Sequence, residues 1–168
     1  MDFPIREMLP EDWEHVRRIY LEGLATGHAS FEVDAPAWED WDRSHHKHSR
    51  LIACHEDRIV GWAALCPVSQ RKCYAGVAEF SLYVTDSYRA KGLGKRLLLA
   101  LIDVAEQNGI WSLYASTFPE NIPSIRTQLA CGFRVVGRRE RIARHRGVWR
   151  DTLITERRSL VVGLDTDP

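Results

Sequence analysis

The sequence predicts an α/β fold in which one mixed sheet carries helices on both faces. Strand-like apolar runs alternate with segments of helical periodicity in the order βααβββαβαββ, a pattern typical of such layered folds. The 168 residues contain no internal repeat, low-complexity tract or linker. A chain of this length can bury a core of its own. We therefore expect a single domain over residues 1–168, with its folded core at about residues 3–160.

Composition and charge argue against several classes of protein. The 23 Lys and Arg residues balance 23 Asp and Glu residues, so the net charge offers no electrostatic footprint for nucleic acid or an anionic membrane surface. No apolar run approaches the roughly 20 residues that a membrane span needs. The first residues also lack the basic and apolar pattern of a signal peptide. We expect a soluble, cytoplasmic protein with neither nucleic acid nor membrane as a partner.

The cysteines and histidines do not predict a metal site. The four cysteines are scattered and form no Cys-x-x-Cys pair, which favours free thiols in a reducing compartment. The cluster His45-His46-Lys47-His48 places adjacent histidines on different sides of a helix, with no acidic or thiol partner at ligand spacing. We therefore expect no metal.

The first half of the chain predicts one short strand, two helices and a hairpin. The helical assignment rests on apolar residues spaced three and four apart, and the hairpin on two apolar runs joined by a polar turn. In order, we predict a strand at Phe3–Arg6, a helix that opens at Pro10 and ends at Gly27, a helix over Pro36–Ser49, and strands over Leu51–Cys54 and Arg58–Leu65.

The second half predicts the remaining strands and two further helices. In order, we predict a strand over Ala75–Thr85, a helix over Gly92–Asn108, a strand over Trp111–Thr117, a helix over Ile122–Ala130, and strands over Phe133–Arg139 and Val148–Arg157. In the first of these strands the apolar alternation slips by one residue around Glu79–Ser81. Such a slip is typical of a β-bulge.

A basic, glycine-rich loop between a strand and a helix predicts an anion-binding site. The first turn of a helix has unpaired N–H groups and a partial positive charge, and glycines let the backbone approach a ligand closely. Basic side chains add charge to such a loop. The residues of this loop are Arg89, Ala90, Lys91, Gly92, Leu93, Gly94 and Lys95.

Two common phosphate loops do not match this segment. Leu97 stands where the dinucleotide fingerprint needs its third glycine, and Arg96 stands where a nucleotide-triphosphate loop needs Ser or Thr. The pattern Arg-x-x-Gly-x-Gly, from Arg89 to Gly94, resembles the pyrophosphate-binding loop of the GNAT superfamily of N-acetyltransferases. Taken alone, the pattern also fits an ordinary basic turn before a helix.

The resemblance extends from about Phe3 to Leu160. The segment from Asn121 to Phe133, an asparagine, a short helix and then Gly-Phe entering a strand, is similar to a later signature of the superfamily. Within the superfamily, the chain is similar to the phosphinothricin and methionine sulfoximine acetyltransferases. The shared segments include Ser30–Glu32, Gly61-Trp62, Pro67 to Arg71, and Gly147-x-Trp149-x-Asp151. The implied fold is one twisted, mostly antiparallel sheet with splayed middle strands.

The resemblance implies acetyl-coenzyme A (acetyl-CoA) as co-substrate, bound between the strands at Ala75–Thr85 and Trp111–Thr117. Backbone groups of the first strand would pair with the pantetheine, the basic loop would hold the pyrophosphate, and two residues of a later segment would also contact the cofactor. The first group is Leu82, Tyr83 and Val84, and the last is Asn121 and Ser124. The acceptor amine would attack the thioester directly, without an acyl-enzyme.

The proton of the acceptor amine calls for a general base. An amine with a pKa of about 10.4 is neutral only about once in 10³ molecules at pH 7. Glu79, midway along the central strand, is the candidate base, acting through water or with a raised pKa. Many relatives place at Gln128 a tyrosine that protonates the leaving thiolate. Here water, Tyr114 or His145 would serve, or the thiolate would leave unaided.

The acceptor site is implied by position in the resembling enzymes. Arg71 and Tyr74 fall in the loop that borders the substrate. Phe31 and Glu32 belong to the first loop, which runs from His28 to Asp34 between the first two helices. His145 lies just before the Gly-x-Trp segment. An arginine suits a bidentate grip on an α-carboxylate, which favours an amino-acid-like acceptor.

Several acceptors and one non-enzymatic role stay open. The expected acceptor is a small molecule of the phosphinothricin, methionine sulfoximine or methionine sulfone type. A polyamine, an aminoglycoside or a protein N-terminus is the alternative acceptor, and a non-catalytic acyl-CoA sensor is the alternative class. The basic segment 138–146 falls in a region that helps form a homodimer in the resembling enzymes, so a homodimer is expected.

Overall fold

The computed structural model describes residues 2–164, which form a seven-stranded sheet and four α-helices. The strands are β1 (Ile5–Glu7), β2 (Leu51–His55), β3 (Arg58–Pro67), β4 (Val77–Val84), β5 (Ser112–Thr117), β6 (Arg134–His145) and β7 (Val148–Arg158). The helices are α1 (Trp13–Ala25), α2 (Trp38–Ser44), α3 (Leu93–Gln107) and α4 (Ile122–Ala130). The sheet order is β1-β2-β3-β4-β5-β7-β6.

The two middle strands pair over only part of their length. β4 and β5 are parallel, whereas the other neighbours are antiparallel. Their register starts at Val77↔Ser112 and stops after Glu79↔Tyr114. Beyond that point β4 stays bonded to β3, and β5 stays bonded to β7. The sheet is therefore split at its centre, as the family resemblance implied.

Each face of the sheet carries its own apolar layer. α3 covers one face with Leu97, Leu98 and Leu101, whose side chains are fully buried. Burying a leucine side chain stabilises the fold by about 1.5–3 kcal/mol, so this helix is fixed firmly to the sheet. α1 and α2 cover the other face through an aromatic cluster, in which the Trp13 and Trp41 rings lie 5.2 Å apart.

Helix α2 is shorter than the sequence predicts. The prediction ran over Pro36–Ser49, but the helix ends at Ser44 because His45 takes an extended backbone conformation. The Arg50 guanidinium donates to the carbonyl oxygens of Asp42 and His45. It thereby satisfies acceptors that the end of a helix leaves without partners.

The predicted bulge around Glu79–Ser81 is wrong. The β3–β4 register is unbroken from Gly61↔Val84 to Pro67↔Ala78. Ala78, rather than Val77, is the fully buried residue at the start of the strand. Residues 78, 80, 82 and 84 consequently face the α3 layer in strict alternation, and the sequence pattern only appeared to slip because alanine is small.

Strand β6 is longer than predicted and carries the irregularity that β4 lacks. The prediction ended at Arg139, whereas the strand continues to His145 after a register shift between Arg139 and Ala143. Within this bulge Arg141 adopts a positive φ of 44°. The Asp151 carboxylate accepts from the Arg141 N–H at 2.7 Å and from Arg138 Nε at 2.7 Å, so it holds the bulge in place.

The helices of residues 2–164 and the four cysteines each lack one feature: the helices are too short or too polar to cross a membrane, and the cysteines are unpaired. Among the cysteines, Cys73 is exposed in the turn before β4.

The close packing of Gly76 gives a test of this architecture. A Cβ atom at Gly76 would lie 2.0 Å from Cε3 of Trp111, and the Gly76 carbonyl oxygen accepts from the Trp111 and Ser112 N–H groups, so neither side can retreat. Gly76→Ala should lower the free energy of unfolding by about 1–3 kcal/mol in denaturant titrations. Gly137→Ala, where a Cβ meets nothing within 4 Å, should change it by less than about 0.5 kcal/mol. Equal effects would contradict the packing account.

Candidate active site

The site is organised around the split between β4 and β5. Past Glu79 and Tyr114 the two strands no longer pair with each other, while their outer edges remain bonded to β3 and β7. Main-chain groups on the inner edges therefore face a gap that the sheet itself cannot close. Such a gap suits an extended ligand that hydrogen-bonds to the backbone.

The loop that leaves β4 ends in an open helix N-terminus. Gly92, with a φ of 78°, is the N-cap of α3, and no side chain caps the helix. The N–H groups of the first turn are therefore available to an anion. A Cβ at Gly94 would lie 3.8 Å from Leu82 and Thr127 side-chain carbons, which leaves room beside the turn. Ala90 also has a positive φ, so the loop is sharply bent.

The basic side chains of the loop divide into two groups. Lys91 and Lys95 are exposed, with the Lys91 ammonium 4.9 Å from the Tyr88 ring centre. The Arg89 guanidinium forms an ion pair with Asp86, and its Nε donates to the Val84 carbonyl oxygen at 3.2 Å. Arg89 thus braces the loop, while the lysines carry its free charge. This donor set fits a diphosphate.

Glu22 on α1 anchors the start of the same loop, and the sequence analysis missed it. The Thr85 hydroxyl donates to both carboxylate oxygens of Glu22, at 2.9 and 2.7 Å, and the Asp86 N–H donates to the same group. Residues 63 positions apart in sequence leave no local pattern, so only the folded chain reveals the contact.

Glu79 and Tyr114 form a pair at the point where the strands part. Both side chains are half-buried, and the Tyr114 hydroxyl donates to Glu79 Oε2 at 3.2 Å. Burial raises the pKa of Glu79, although the Tyr114 hydrogen bond and the charge of Arg139 oppose the rise. Burial and the Glu79 charge raise the pKa of Tyr114 to about 12. No local sequence pattern links Arg139 to this pair.

The α1 side of the split carries a group of tyrosines. The Tyr20 and Tyr83 rings lie 4.9 Å apart, and the Tyr83 ring packs so closely on α1 that a Cβ at Gly23 would lie 2.5 Å from it. Burial, then the charge of Glu32, raises the pKa of Tyr20 to about 12, and the Ser30 side chain opposes the rise. The predicted site residue Glu32 is exposed, and its negative charge contributes to the raised pKa of both Tyr20 and Tyr83.

The first loop bridges the two sides of the split. Phe31 packs edge-on against Phe118 with ring centres 4.8 Å apart. Asn121 Nδ2 donates to the His28 carbonyl oxygen at 3.2 Å, and Arg150 donates to the Gly27 carbonyl oxygen at 3.2 Å. The loop is thus fastened to α4 and β7 after leaving α1.

The side chains at the start of α4 bond mainly within the protein. Asn121 Oδ1 accepts from the Ser124 N–H at 3.3 Å and so caps the helix. Gln128 is buried and donates to Ser124 Oγ and Thr117 Oγ1, each at 3.0 Å, while its oxygen accepts from the Thr155 hydroxyl. The cofactor contacts of Asn121 and Ser124 stay predictions.

The remaining predicted acceptor residues fall into two pairs. Arg71 and Tyr74 are exposed in the turn before β4, with the guanidinium carbon 5.3 Å from the ring centre. His145 is buried, and its ring centre lies 6.4 Å from that of Phe31. Burial, with the charges of Arg146 and Arg150, lowers the pKa of His145.

The histidine cluster pairs with aromatic rings. The His45 ring stacks on Trp41 at 4.0 Å, and the His46 and His48 rings stack at 4.7 Å. Over residues 2–164, no three or more His, Cys, Asp or Glu side chains come together as a metal-binding group.

Comparison with known proteins identifies the family. Residues 8–133 match the acetyltransferase (GNAT) family. An L-methionine sulfoximine/L-methionine sulfone acetyltransferase of Pseudomonas aeruginosa is 31% identical over 68% of this chain and 67% of its own. A phosphinothricin N-acetyltransferase of Alcaligenes faecalis is 27% identical over 91% of this chain and 81% of its own.

A solved structure shows the same fold. It is a GNAT superfamily phosphinothricin acetyltransferase from Sinorhizobium meliloti in complex with acetyl-CoA, with a TM-score of 0.83, 23% identity, and coverage of 99% of this chain and 98% of that one. Because the match to residues 8–133 covers more than half of the sequence, the chain belongs to the acetyltransferase (GNAT) family. The predicted fold, the N-acetyltransferase class and acetyl-CoA as acetyl donor are confirmed as properties of that family.

Proposed function

We propose that the chain transfers the acetyl group of acetyl-CoA to the α-amine of a small amino-acid-like substrate of the phosphinothricin, methionine sulfoximine or methionine sulfone type. The observation that carries the proposal is the position of a half-buried carboxylate, Glu79, at the closed end of a split whose open end meets the uncapped N-terminus of α3. The names of the relatives support the same acceptor class.

The chain offers a continuous set of groups for the donor. On the inner edge of β4, main-chain groups of Leu82 and Val84 would pair with the donor, whereas the Tyr83 carbonyl oxygen points towards Gly61 on β3, so the predicted main-chain contact of Tyr83 is wrong. The turn from Arg89 to Lys95 offers N–H groups and two lysines. Asn121 and Ser124 stand at the start of α4. When bound, acetyl-CoA supplies an acetyl group activated as a thioester. The main-chain N–H groups of β4 would stabilise the charge that develops on the carbonyl oxygen.

Glu79 takes the proton that the acceptor nitrogen loses. Its raised pKa makes the carboxylate a stronger base than an ordinary glutamate, because the ionised form is partly desolvated. The carboxylate is held by Tyr114 on one strand and lies level with Cys66 on β3, so its position at the split is fixed.

The acceptor would be bound by the side chains that the family resemblance assigns to it. The exposed Arg71 guanidinium, which lies over the Tyr74 ring, would grip an α-carboxylate, and Phe31, Glu32 and His145 would contact the rest of the acceptor. A guanidinium fork matches a carboxylate in two parallel hydrogen bonds, which selects amino acids over simple amines.

The same enzyme would assemble as a homodimer through the outer face of β6 and β7. β6 is the last strand of the sheet, with a partner on one side only. Several large apolar side chains of this hairpin are exposed: Val135, Val136, Ile142, Val148 and Trp149. Exposed apolar groups clustered on an edge strand are typical of a protein–protein contact.

A thiol-release assay with acetyl-CoA and a panel of amines tests the proposal. Methionine sulfoximine, methionine sulfone or phosphinothricin should release free thiol in proportion to acetylated product. If polyamines, aminoglycosides or peptide N-termini release thiol and these amino acids do not, the proposed acceptor class is wrong and the reacting amine takes its place. Tight binding of acetyl-CoA without turnover of any amine would favour a non-catalytic sensor.

Glu79→Gln should remove the part of the acidic limb of the pH–rate profile that Glu79 sets. In the wild type the base works when ionised, so kcat/KM should fall as the pH drops through the raised pKa of Glu79. The variant has no such group and should be slower by about 10²-fold or more, with a profile that follows only the amine. The profile is measured between pH 5 and pH 9. If the additional fall of kcat/KM below the raised pKa of Glu79 persists unchanged in the variant, Glu79 is eliminated as the base.

Arg71→Ala should raise KM for acceptors that carry an α-carboxylate by about 10- to 100-fold, because a charge-assisted contact is lost. KM for amines without a carboxylate should change by less than about twofold. Lys72→Ala is the matched control, since Lys72 is the next residue and is also exposed. Similar increases for both kinds of amine, or for both variants, would remove Arg71 from the acceptor site.

A further inference from the structure

The proposed reaction assigns no role to the Tyr114 hydroxyl, and it leaves the proton donor for the departing thiolate unnamed. Tyr114 and Glu79 are the last paired residues of β5 and β4, and the hydroxyl donates to Glu79 Oε2 at 3.2 Å. The hydrogen bond therefore crosses from one strand to the other at the closed end of the split. The thioester of a donor laid along β4 must react within reach of Glu79, and thus beside this hydroxyl.

The other candidates for donating a proton to the leaving sulfur are unsuitable. Gln128 is buried, and its amide nitrogen is committed to Thr117 and Ser124. His145 is buried as well, and because its pKa is lowered it carries little of the imidazolium that could act as an acid near neutral pH. Within residues 2–164, the Tyr114 hydroxyl is the group seen to donate a hydrogen bond to the Glu79 side chain.

We propose that Tyr114 is a catalytic residue that passes a proton from Glu79 to the departing thiolate of coenzyme A; this inference rests on the proposed function. The acceptor reacts as the free amine. As the N–C bond forms, the nitrogen gives a proton to the Glu79 carboxylate. As the C–S bond breaks, the Tyr114 hydroxyl gives its proton to sulfur and takes one from the Glu79 carboxylic acid. Both residues return to their starting states, and the products are the amide and the free thiol.

The acidities of the groups explain why two residues are needed. With a pKa of about 12, Tyr114 alone is roughly 10³-fold too weak an acid for a thiolate whose conjugate acid has a pKa of about 8.5. When Glu79 returns a proton at the same moment, the net transfer runs from a carboxylic acid to a thiolate, which is downhill. The groups that face the pair are Cys66 on β3, whose pKa is raised to about 11, and Arg139 on β6.

Tyr114→Phe tests the relay, because it keeps the ring and removes only the hydroxyl. The kcat of the variant should fall by about 10²-fold, while KM for both substrates and Kd for acetyl-CoA should stay within about twofold. In the protein without ligands, the pKa of Glu79, followed by carboxyl NMR, should rise further, because the carboxylate loses a donor. A double variant with Glu79→Gln should be no slower than the slower single variant, since the two residues act as a unit.

Each contrary outcome overturns a specific statement. A Tyr114→Phe kcat within twofold of an active wild type would overturn the relay and leave the proposed function intact. So would rate losses that multiply in the double variant, because they would mean independent roles. An unmoved pKa of Glu79 would show that the hydrogen bond is absent and would overturn the relay as well. A wild type that acetylates no amine would instead remove the proposed function, and the relay with it.

Discussion

The central constraint on this structure is that the facing edges of β4 and β5 pair with each other over only part of their length. Inside a sheet, main-chain N–H and C=O groups need partners, and leaving them without any is costly. β4 and β5 satisfy one another only as far as Glu79 and Tyr114. Since β3 and β7 hold their outer edges, the strands cannot shift to close the gap. The fold therefore leaves main-chain groups along this gap unpaired by a neighbouring strand, and the proposed catalytic pair, Glu79 and Tyr114, lies where the gap begins.

Both faces of the sheet contribute to the shape of the reserved gap. α3 is fixed by leucines buried in its layer, and its uncapped N-terminus meets the open end of the split. From the other face, α1 reaches the same loop through Glu22 and supports Tyr83 at Gly23. The loop before α3 and Tyr83 are thus joined through one helix, so a change in α1 would alter both.

The sequence predicts features formed by neighbouring residues, whereas contacts between residues far apart in sequence become visible only in the structure. The glycine-rich turn that begins α3 could be predicted because its glycines, lysines and following amphipathic helix are contiguous from Arg89 onward. The contact of Glu22 with Thr85 and the proximity of Arg139 to Glu79 could not, because they join elements far apart in sequence. The extra length of β6 was hidden by its bulge, which interrupts the two-residue period that marks a strand.

Calorimetric titration with acetyl-CoA tests most directly whether the first turn of α3 grips the diphosphate. Wild type and Gly94→Ala should both bind, because a Cβ at Gly94 meets only ordinary contacts at 3.8 Å. Gly94→Glu would place a carboxylate in the anion site, so its binding should weaken by about 100-fold or more while its thermal unfolding stays cooperative. Absence of binding by the wild type, or equal affinities for wild type and Gly94→Glu, would contradict the account.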